Sequence, residues 1–238
     1  MSFSTYPYQR PELEQYEKAF RQALQLFATA SNYSEAKKAL NQLNQLRSEI
    51  ATNAKLAYIR HSINTNDSFY RAENDFWDHH QPLIDQLHNE FYEKLLDSAF
   101  EVELKQEFPE TLFLYAEDQL RLLNDAVVSL KQQENETISQ YTQLIASAQL
   151  EFQGQTLTLS ELAAFFTATD RSVRKAAHKV YEAFFVAHEK EFDAIFDRLV
   201  QLRHQQAQQL DFENYVEYGD SLMNRWSYDR KQLQLSLI

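Results

Sequence analysis

Chemistry on a helical scaffold begins with metal ligands or acid–base groups one turn apart, because only then do two side chains face one point. His-x-x-x-His places two imidazoles for zinc in this way, and Glu-x-x-His does the same in di-iron carboxylate bundles. The chain has seven histidines: His61, His79, His80, His88, His178, His188 and His204. None has a histidine four residues away, and none has a glutamate three residues before it. Asp85-x-x-His88 comes nearest, and standing alone it reads as a solvated helix face. His188-Glu-Lys-Glu-Phe192 starts like a metallopeptidase signature but ends on phenylalanine, which cannot bind zinc. Phe192 falls instead on an apolar stripe, with Glu189 and Glu191 in water. His79 and His80, beside Trp77, are adjacent helical residues pointing about 100° apart, and they read as surface histidines. The sequence therefore assigns no catalytic, cofactor-binding or metal-binding residue.

Other chemistries fall away by residue type. There is no cysteine, which excludes disulfides, thiolate catalysis and Cys-based metal sites. No Gly-x-Ser-x-Gly and no Gly-rich phosphate loop is present. The 35 acidic residues single out no pair. Against 23 basic residues they leave a net charge of −12 with no basic run, so nucleic acid is not an expected partner. No window approaches the ~18–20 apolar residues of a membrane span, and Met1–Tyr8 lacks a basic start followed by an apolar stretch. Cytoplasmic residence is the expectation.

The elements that would carry any site are helices. Glycine occurs only at 154 and 219 and proline four times in 238 residues, too few for a fold with many tight turns. Pro11 opens a first helix striped by Leu13, Tyr16, Phe20, Leu24 and Phe27. Asn32-Tyr-Ser-Glu35 caps a second helix, reaching about His61, whose stripe of Ala36, Leu40, Leu43, Ile50, Ala54 and Ala57 permits close helix approach. Asn64-Thr-Asn-Asp67 breaks and restarts the pattern. A third segment follows with Phe69, Phe76, Leu83, Leu87, Phe91, Leu95 and Leu96, and Pro82 should kink or break it. Phe108-Pro109 marks a boundary, with weak points near Asn124-Asp125 and Asn135. Leu150–Thr158 alternates around Gly154 as a short hairpin, and Thr158-Leu-Ser-Glu161 is a capping box. Asp170 caps a helix expected to run unbroken to Leu210, about 60 Å. Asp170-Arg171-Arg174 reads as structural, the arginines pairing with acidic neighbours. The fold class is all-α, a long-helix array with one short β-hairpin near residues 150–158. Residues 1–110 form an N-terminal helical lobe, and 111–238 a helical region with the hairpin and the long helix.

From Gln149 onward the chain resembles a known family. Phe152-Gln-Gly-Gln-Thr-Leu-Thr-Leu-Ser-Glu-Leu162, Asp170-Arg171-x-x-Arg174, Leu202-Arg203 with Ala207-x-x-Leu210-x-Phe212-x-Asn-Tyr215, and Asn224-Arg225-Trp-Ser-Tyr228 are similar to segments of oligoendopeptidase F. The first 148 residues match only in helical character. Asp211 stands where the family usually has glycine, at a position needing a left-handed helix terminus. The resemblance implies a thimet-type zinc endopeptidase that cuts short peptides inside a helical vessel. It also implies that the His-Glu-x-x-His helix lies beyond residue 238. This chain would then be the N-terminal, non-catalytic cleft wall, holding no cofactor itself, with zinc implied for the full-length family. Short peptides would be the full-length family's substrates.

Two readings from different classes follow. The first is a portion of a peptidase, inactive alone, truncated before the catalytic zinc domain. The second is a free-standing helical scaffold or adaptor. Leu233, Leu235, Leu237 and Ile238 give an apolar finish without a cap, which favours the first. With Trp226 and Tyr228 they form an edge expected to self-associate or to meet a missing catalytic half. Tyr215, Tyr218 and Tyr228 read as core or interface packing rather than a groove.

Overall fold

The computed structural model describes residues 5–226 together with Tyr228 and Gln232. The described residues form α1 (Leu13–Ala28), α2 (Tyr33–Ile63), α3 (Ser68–Leu96), α4 (Glu101–Glu107), α5 (Glu110–Leu122) and α6 (Asp125–Ala146). Strands β1 (Leu150–Phe152) and β2 (Gln155–Leu157) come next, then α7 (Leu159–Ala163), a 3-10 turn (Ala164–Thr167), α8 (Arg171–Ala187), α9 (Glu189–Gln209) and α10 (Tyr215–Leu222). This is the expected all-α array with one antiparallel hairpin.

Local signals set most boundaries. Asn32 accepts from the Glu35 amide at 3.0 Å, and Asp67 accepts from the amides of Phe69 and Tyr70, so α2 and α3 begin on side-chain caps. Asn124 does the same for α6 through Ala126. The first helix starts two residues later than expected. Pro11 precedes it, and Glu12 makes no side-chain cap.

Two expected breaks are absent, and they explain each other. Pro82 lies inside an unbroken α3, and Asn135 inside an unbroken α6. A proline lacks the N–H that would bond the carbonyl four residues back, here that of Asp78. Asn135 Nδ2 donates to that carbonyl at 3.2 Å, and one turn earlier Gln132 Nε2 donates to the His79 carbonyl at 2.7 Å. Helix α6 thus supplies the bond that α3 forgoes at Asp78 and adds a second at His79.

The opposite error concerns the long rod after Asp170. It divides at His188, which ends α8 and starts α9 with ψ at 17°. Phe184, Phe185, His188 and Phe192 pack against one another at this junction.

The main core joins α1, α2 and α3 with α4 and α5, through Phe20, Phe27, Leu40, Leu43, Phe91, Leu95, Leu104 and Phe113. Helix α3 packs on α2, α5 and α6, and α6 in turn packs on α9. A separate cluster of Leu150, Phe152, Leu159, Leu162, Ala177 and Phe184 lies under the hairpin. Phe69 and Leu83, assigned to the apolar stripe of α3, are exposed; Trp77, Ile84, Leu87, Phe91 and Leu95 are the buried face. Ahead of α1, the chain is held to α3 by Glu73, which receives a bidentate pair from Arg10 (2.9 and 2.7 Å) and a bond from the Tyr8 hydroxyl.

Candidate functional site

Helix α3 has a second stripe beside its apolar one. Asn74, Asp78, Gln81, Asp85, His88 and Tyr92 recur at spacings of four and three, which places them on one face. That face is buried or half-buried rather than exposed. It looks into the space bounded by α2, α5 and α6, where Ala51 and Ala54 of α2 leave room. Two adjoining cavities result. One, of about 540 Å3, is lined by Tyr58 and His61 of α2, Asn74, Trp77 and Asp78 of α3, and Ser139 of α6. The other, of about 320 Å3, is lined by Arg47, Asp85, His88, Tyr92 and Tyr115. Gln81, Asp85 and Tyr115 border both.

The polar groups of this seam are organised. Asp78 accepts from Asn74 Nδ2 at 2.9 Å and from the Ser139 hydroxyl, and Asn74 also donates to Ser139 Oγ. Burial holds the Asp78 carboxyl above the ordinary range against its bond from Ser139, and the charges of Asp75 and Glu136 push it the same way. Asp85 accepts from Gln81 at 2.8 Å and is likewise raised by burial, with Lys131 and Arg47 working against the shift. His88 Nε2 shares a 2.7 Å hydrogen bond with the Tyr16 hydroxyl. Burial, helped by Arg47, pushes His88 down to about 3, so the ring is neutral. Arg47 donates to the Tyr92 hydroxyl and lies over the rings of Phe91 and Tyr92.

On its far side α6 makes a second network. Glu134 accepts from Arg203 Nε at 2.6 Å and from Gln206 Nε2 at 2.8 Å, and the fully buried Tyr218 hydroxyl donates to Gln206 Oε1 at 3.2 Å. Lys131, its ammonium 5.6 Å from the Tyr218 ring, is held below its ordinary value by burial. This network locks α9 and α10 to α6.

The residues marked in the sequence are distributed differently from expectation in two places. Asp85 and His88 are not a solvated face: both line the smaller cavity, because α2 and α5 cover that side of α3. Arg174 pairs with the carbonyls of Ala168 (2.6 Å) and Thr169 (2.9 Å) rather than with acids, and Arg171 is exposed with no ion pair among the described residues. The rest hold. Asp170 caps α8 through the Ser172 amide at 2.7 Å, and Thr158 and Glu161 form the capping box. Phe192 packs on Phe185 and Tyr141. Tyr218 is buried and Tyr215 half-buried, while Tyr228 is exposed. Leu233, Leu235, Leu237 and Ile238 lie outside the described residues. Trp226 is exposed but tied to Asp118 by a 2.7 Å bond from Nε1.

The α3 polar stripe was missed in the sequence although its spacing was readable. Polar residues at helical period signify solvent by default, and only the partners on α2, α5 and α6 reverse that reading. The donor set does not suit zinc. Among the described residues no three His, Cys, Asp or Glu side chains come together as a metal requires, and His88 Nε2 is already engaged by Tyr16.

Comparison with known proteins places this architecture. The Peptidase M3 N-terminal domain model matches residues 3–123, the part where the sequence motifs were silent. No curated protein matches the chain. Among solved structures, PZ peptidase A with an inhibitor is 40% identical with a TM-score of 0.92, over 97% of this chain and 41% of that one. A protein described as an oligoendopeptidase F from Bacillus anthracis str. Ames is 40% identical with a TM-score of 0.94, over 97% of this chain and 42% of that one. A further oligoendopeptidase F structure is 38% identical with a TM-score of 0.93, over 97% and 41%. The chain thus spans about two fifths of the length of the solved structures it matches. No helix among the described residues is long and apolar enough to cross a membrane. Sequence, fold and the M3 domain match agree: the chain belongs to the peptidase M3 family and corresponds to the N-terminal part of an oligoendopeptidase F-like peptidase.

Proposed function

We propose that this chain is the non-catalytic wall of a peptide-hydrolysing cleft, in a zinc endopeptidase acting on short peptides. The carrying observation is the superposition of nearly the whole chain, at 40% identity, on two fifths of each of two peptidase structures. The zinc ligands, the activated water and the general base would come from outside this part of the protein, since no donor set among the described residues fits the metal. The chain's own contribution is rigid shape: long helices, locked by the seam along α3 and by the Glu134 network, that limit what enters. Cytoplasmic residence belongs to the same proposal. So does contact with a catalytic half or a second copy, for which exposed Phe196 and Val200, one turn apart on α9, are available.

The test is hydrolysis of short quenched peptides by the 238-residue chain, with and without added zinc. No turnover is expected. Cleavage that a chelator abolishes and zinc restores, in a preparation free of other peptidases, would overturn the non-catalytic assignment.

A further inference from the structure

Helices α8 and α9 turn one stripe inward and leave the opposite one bare. Val173, Val180, His188, Ile195 and Leu202 are the inward residues, at intervals of seven or eight, which is two helical turns. The period therefore runs through the junction at His188 unchanged. The opposite stripe is exposed along both helices, and near the end of α8 it carries Val186, 72% exposed.

The charges of this stripe are ordered about Val186. Glu182 and Lys190 lie four residues to either side of it, Lys179 and Asp193 seven, and Lys175 and Asp197 eleven. Intervals of four, seven and eleven return to one helix face. At each interval the two signs are opposite. All six side chains are exposed, and none has an ion pair among the described residues. Within one chain the order is unfavourable: Lys175 and Lys179 are like charges one turn apart, as are Asp193 and Asp197, and such pairs weaken a helix. Arg174 and Arg198, twelve residues from Val186, would oppose like to like, but both are bonded elsewhere, Arg174 to the carbonyls of Ala168 and Thr169 and Arg198 to Gln133. Ten residues out, exposed Phe196 has exposed Ala176 as its counterpart.

A two-fold axis at Val186 turns this order into a contact. When two copies lie antiparallel, each position faces the one equally far beyond Val186 on its neighbour, as an isologous interface requires. We propose that the outer stripe of α8 and α9 is a homodimer surface, on which two copies pair antiparallel about Val186. Lys175 meets Asp197, Lys179 meets Asp193 and Glu182 meets Lys190, each pair formed twice. Phe196 lies over Ala176 of the second copy, whose small side chain leaves room. A uniformly acidic partner would satisfy the lysines alone, whereas a second copy satisfies both signs. Exposed ion pairs are individually weak, so the dimer is reversible. It does not depend on the peptidase reading, and the hydrolysis test and the one below can fail separately.

Sedimentation velocity of the 238-residue chain tests the pairing. At about 0.15 M ionic strength, screening over about 8 Å mutes the general repulsion between two acidic chains more than it weakens charges in contact. The natural chain should pass from monomer to dimer as its concentration rises. Asp193→Lys with Asp197→Lys should weaken dimerisation roughly tenfold or more, although it lowers the net negative charge. Lys175→Asp with Lys179→Asp should do the same. An equimolar mixture of these two variants should dimerise again, and so should the chain carrying all four substitutions, because its order is inverted but still complementary. Val186→Glu sets two carboxylates against each other on the axis and should also weaken the dimer. Circular dichroism should not change, since every substituted position is exposed, and recovery in the fourfold chain excludes misfolding as the cause. A natural chain that stays monomeric would overturn the proposal. So would a dimer indifferent to both reversals or to Val186→Glu, or one restored neither by mixing nor by the fourfold substitution.

Discussion

The stretch from β1 to α8 and the seam along α3 use similar residue types, Thr, Asp, Asn and Glu among apolar neighbours, yet assemble them by different means. In the first, each polar side chain serves its own backbone a few residues away: Thr158 with Glu161, and Asp170 with Ser172. Gln153 and Gly154, both at positive φ, turn the hairpin so that Leu150 faces Leu157. In the second, the polar side chains also reach across to other helices: Asp78 is met by Ser139, His88 by Tyr16, Arg47 by Tyr92. Local pairing folds with little tertiary help. The seam exists only when four helices are already in place, so it should fail as a unit.

That contrast predicts different responses to equivalent damage. Phe91, fully buried in the main core, should cost about 4 kcal/mol when cut to alanine. The loss should appear as earlier, cooperative melting of the whole chain. Leu162→Ala, in the separate cluster beneath the hairpin, should cost about 3 kcal/mol locally. Hydrogen exchange would then quicken over residues 148–187 while α1–α3 stay protected. Equal quickening everywhere after Leu162→Ala would erase the distinction between the regions.

Acid should discriminate next. His88 stays neutral in the folded chain down to about pH 3, whereas in the unfolded chain it takes up a proton below its ordinary value of about 6.5. The unfolded state therefore binds more protons between these values, and stability falls as pH drops through that window. By pH 4.5 the loss is about 2–3 kcal/mol. His61 acts in the same direction. Asp78 and Asp85 act oppositely, because their raised values let the folded chain protonate first and regain stability as pH falls toward the ordinary carboxylate range. Urea midpoints at pH 7.5 and 4.5 should therefore drop less for His88→Gln than for the natural chain. Parallel drops would mean that His88 is not the acid-sensitive point of the seam.

The boundaries of the fold were legible wherever a cap, a glycine turn or an Xaa-Pro step acts on its own neighbours. Asn32, Asp67, Pro109, Asn124, Thr158 and Asp170 all mark element starts for that reason. The seam was not legible, because nothing in Asn74, Asp78 or Asp85 announces Ser139 or Lys131 far along the chain. The same blindness produced the false breaks at Pro82 and Asn135, each a defect when read alone and a repaired pair when folded. A double-mutant cycle measures that repair. Asn135→Ala should cost about 1–2 kcal/mol by orphaning the Asp78 carbonyl. In a Pro82→Ala background the new amide at 82 can take that carbonyl, and the cost should shrink toward zero, a coupling of about 1 kcal/mol. Equal costs in the two backgrounds would show that Asn135 acts through the cavity alone.

The smallest effect returns to purely local structure, at the end of α9. Asp211 sits at φ +60°, and the amides of Phe212 and Asp211 donate to the carbonyls of Ala207 (2.9 Å) and Gln208 (3.2 Å), the paired bonds of a Schellman turn. A left-handed residue with a Cβ pays a steric cost that glycine does not, though aspartate pays less of it than most. Glycine in turn gives up more freedom on folding, which offsets part of the gain. The net result of Asp211→Gly should be a gain of about 0.5 kcal/mol, or about 1–2 °C in melting temperature for a chain of this size. Asp211→Ala should move the other way, because alanine keeps the Cβ and lacks the short polar side chain that eases the conformation. Aspartate is exposed here, so neither change disturbs the core. If glycine and alanine shift the melting temperature in the same direction, backbone strain is not what Asp211 contributes. The turn would then owe its shape to Phe212, which packs with Tyr218 beneath it.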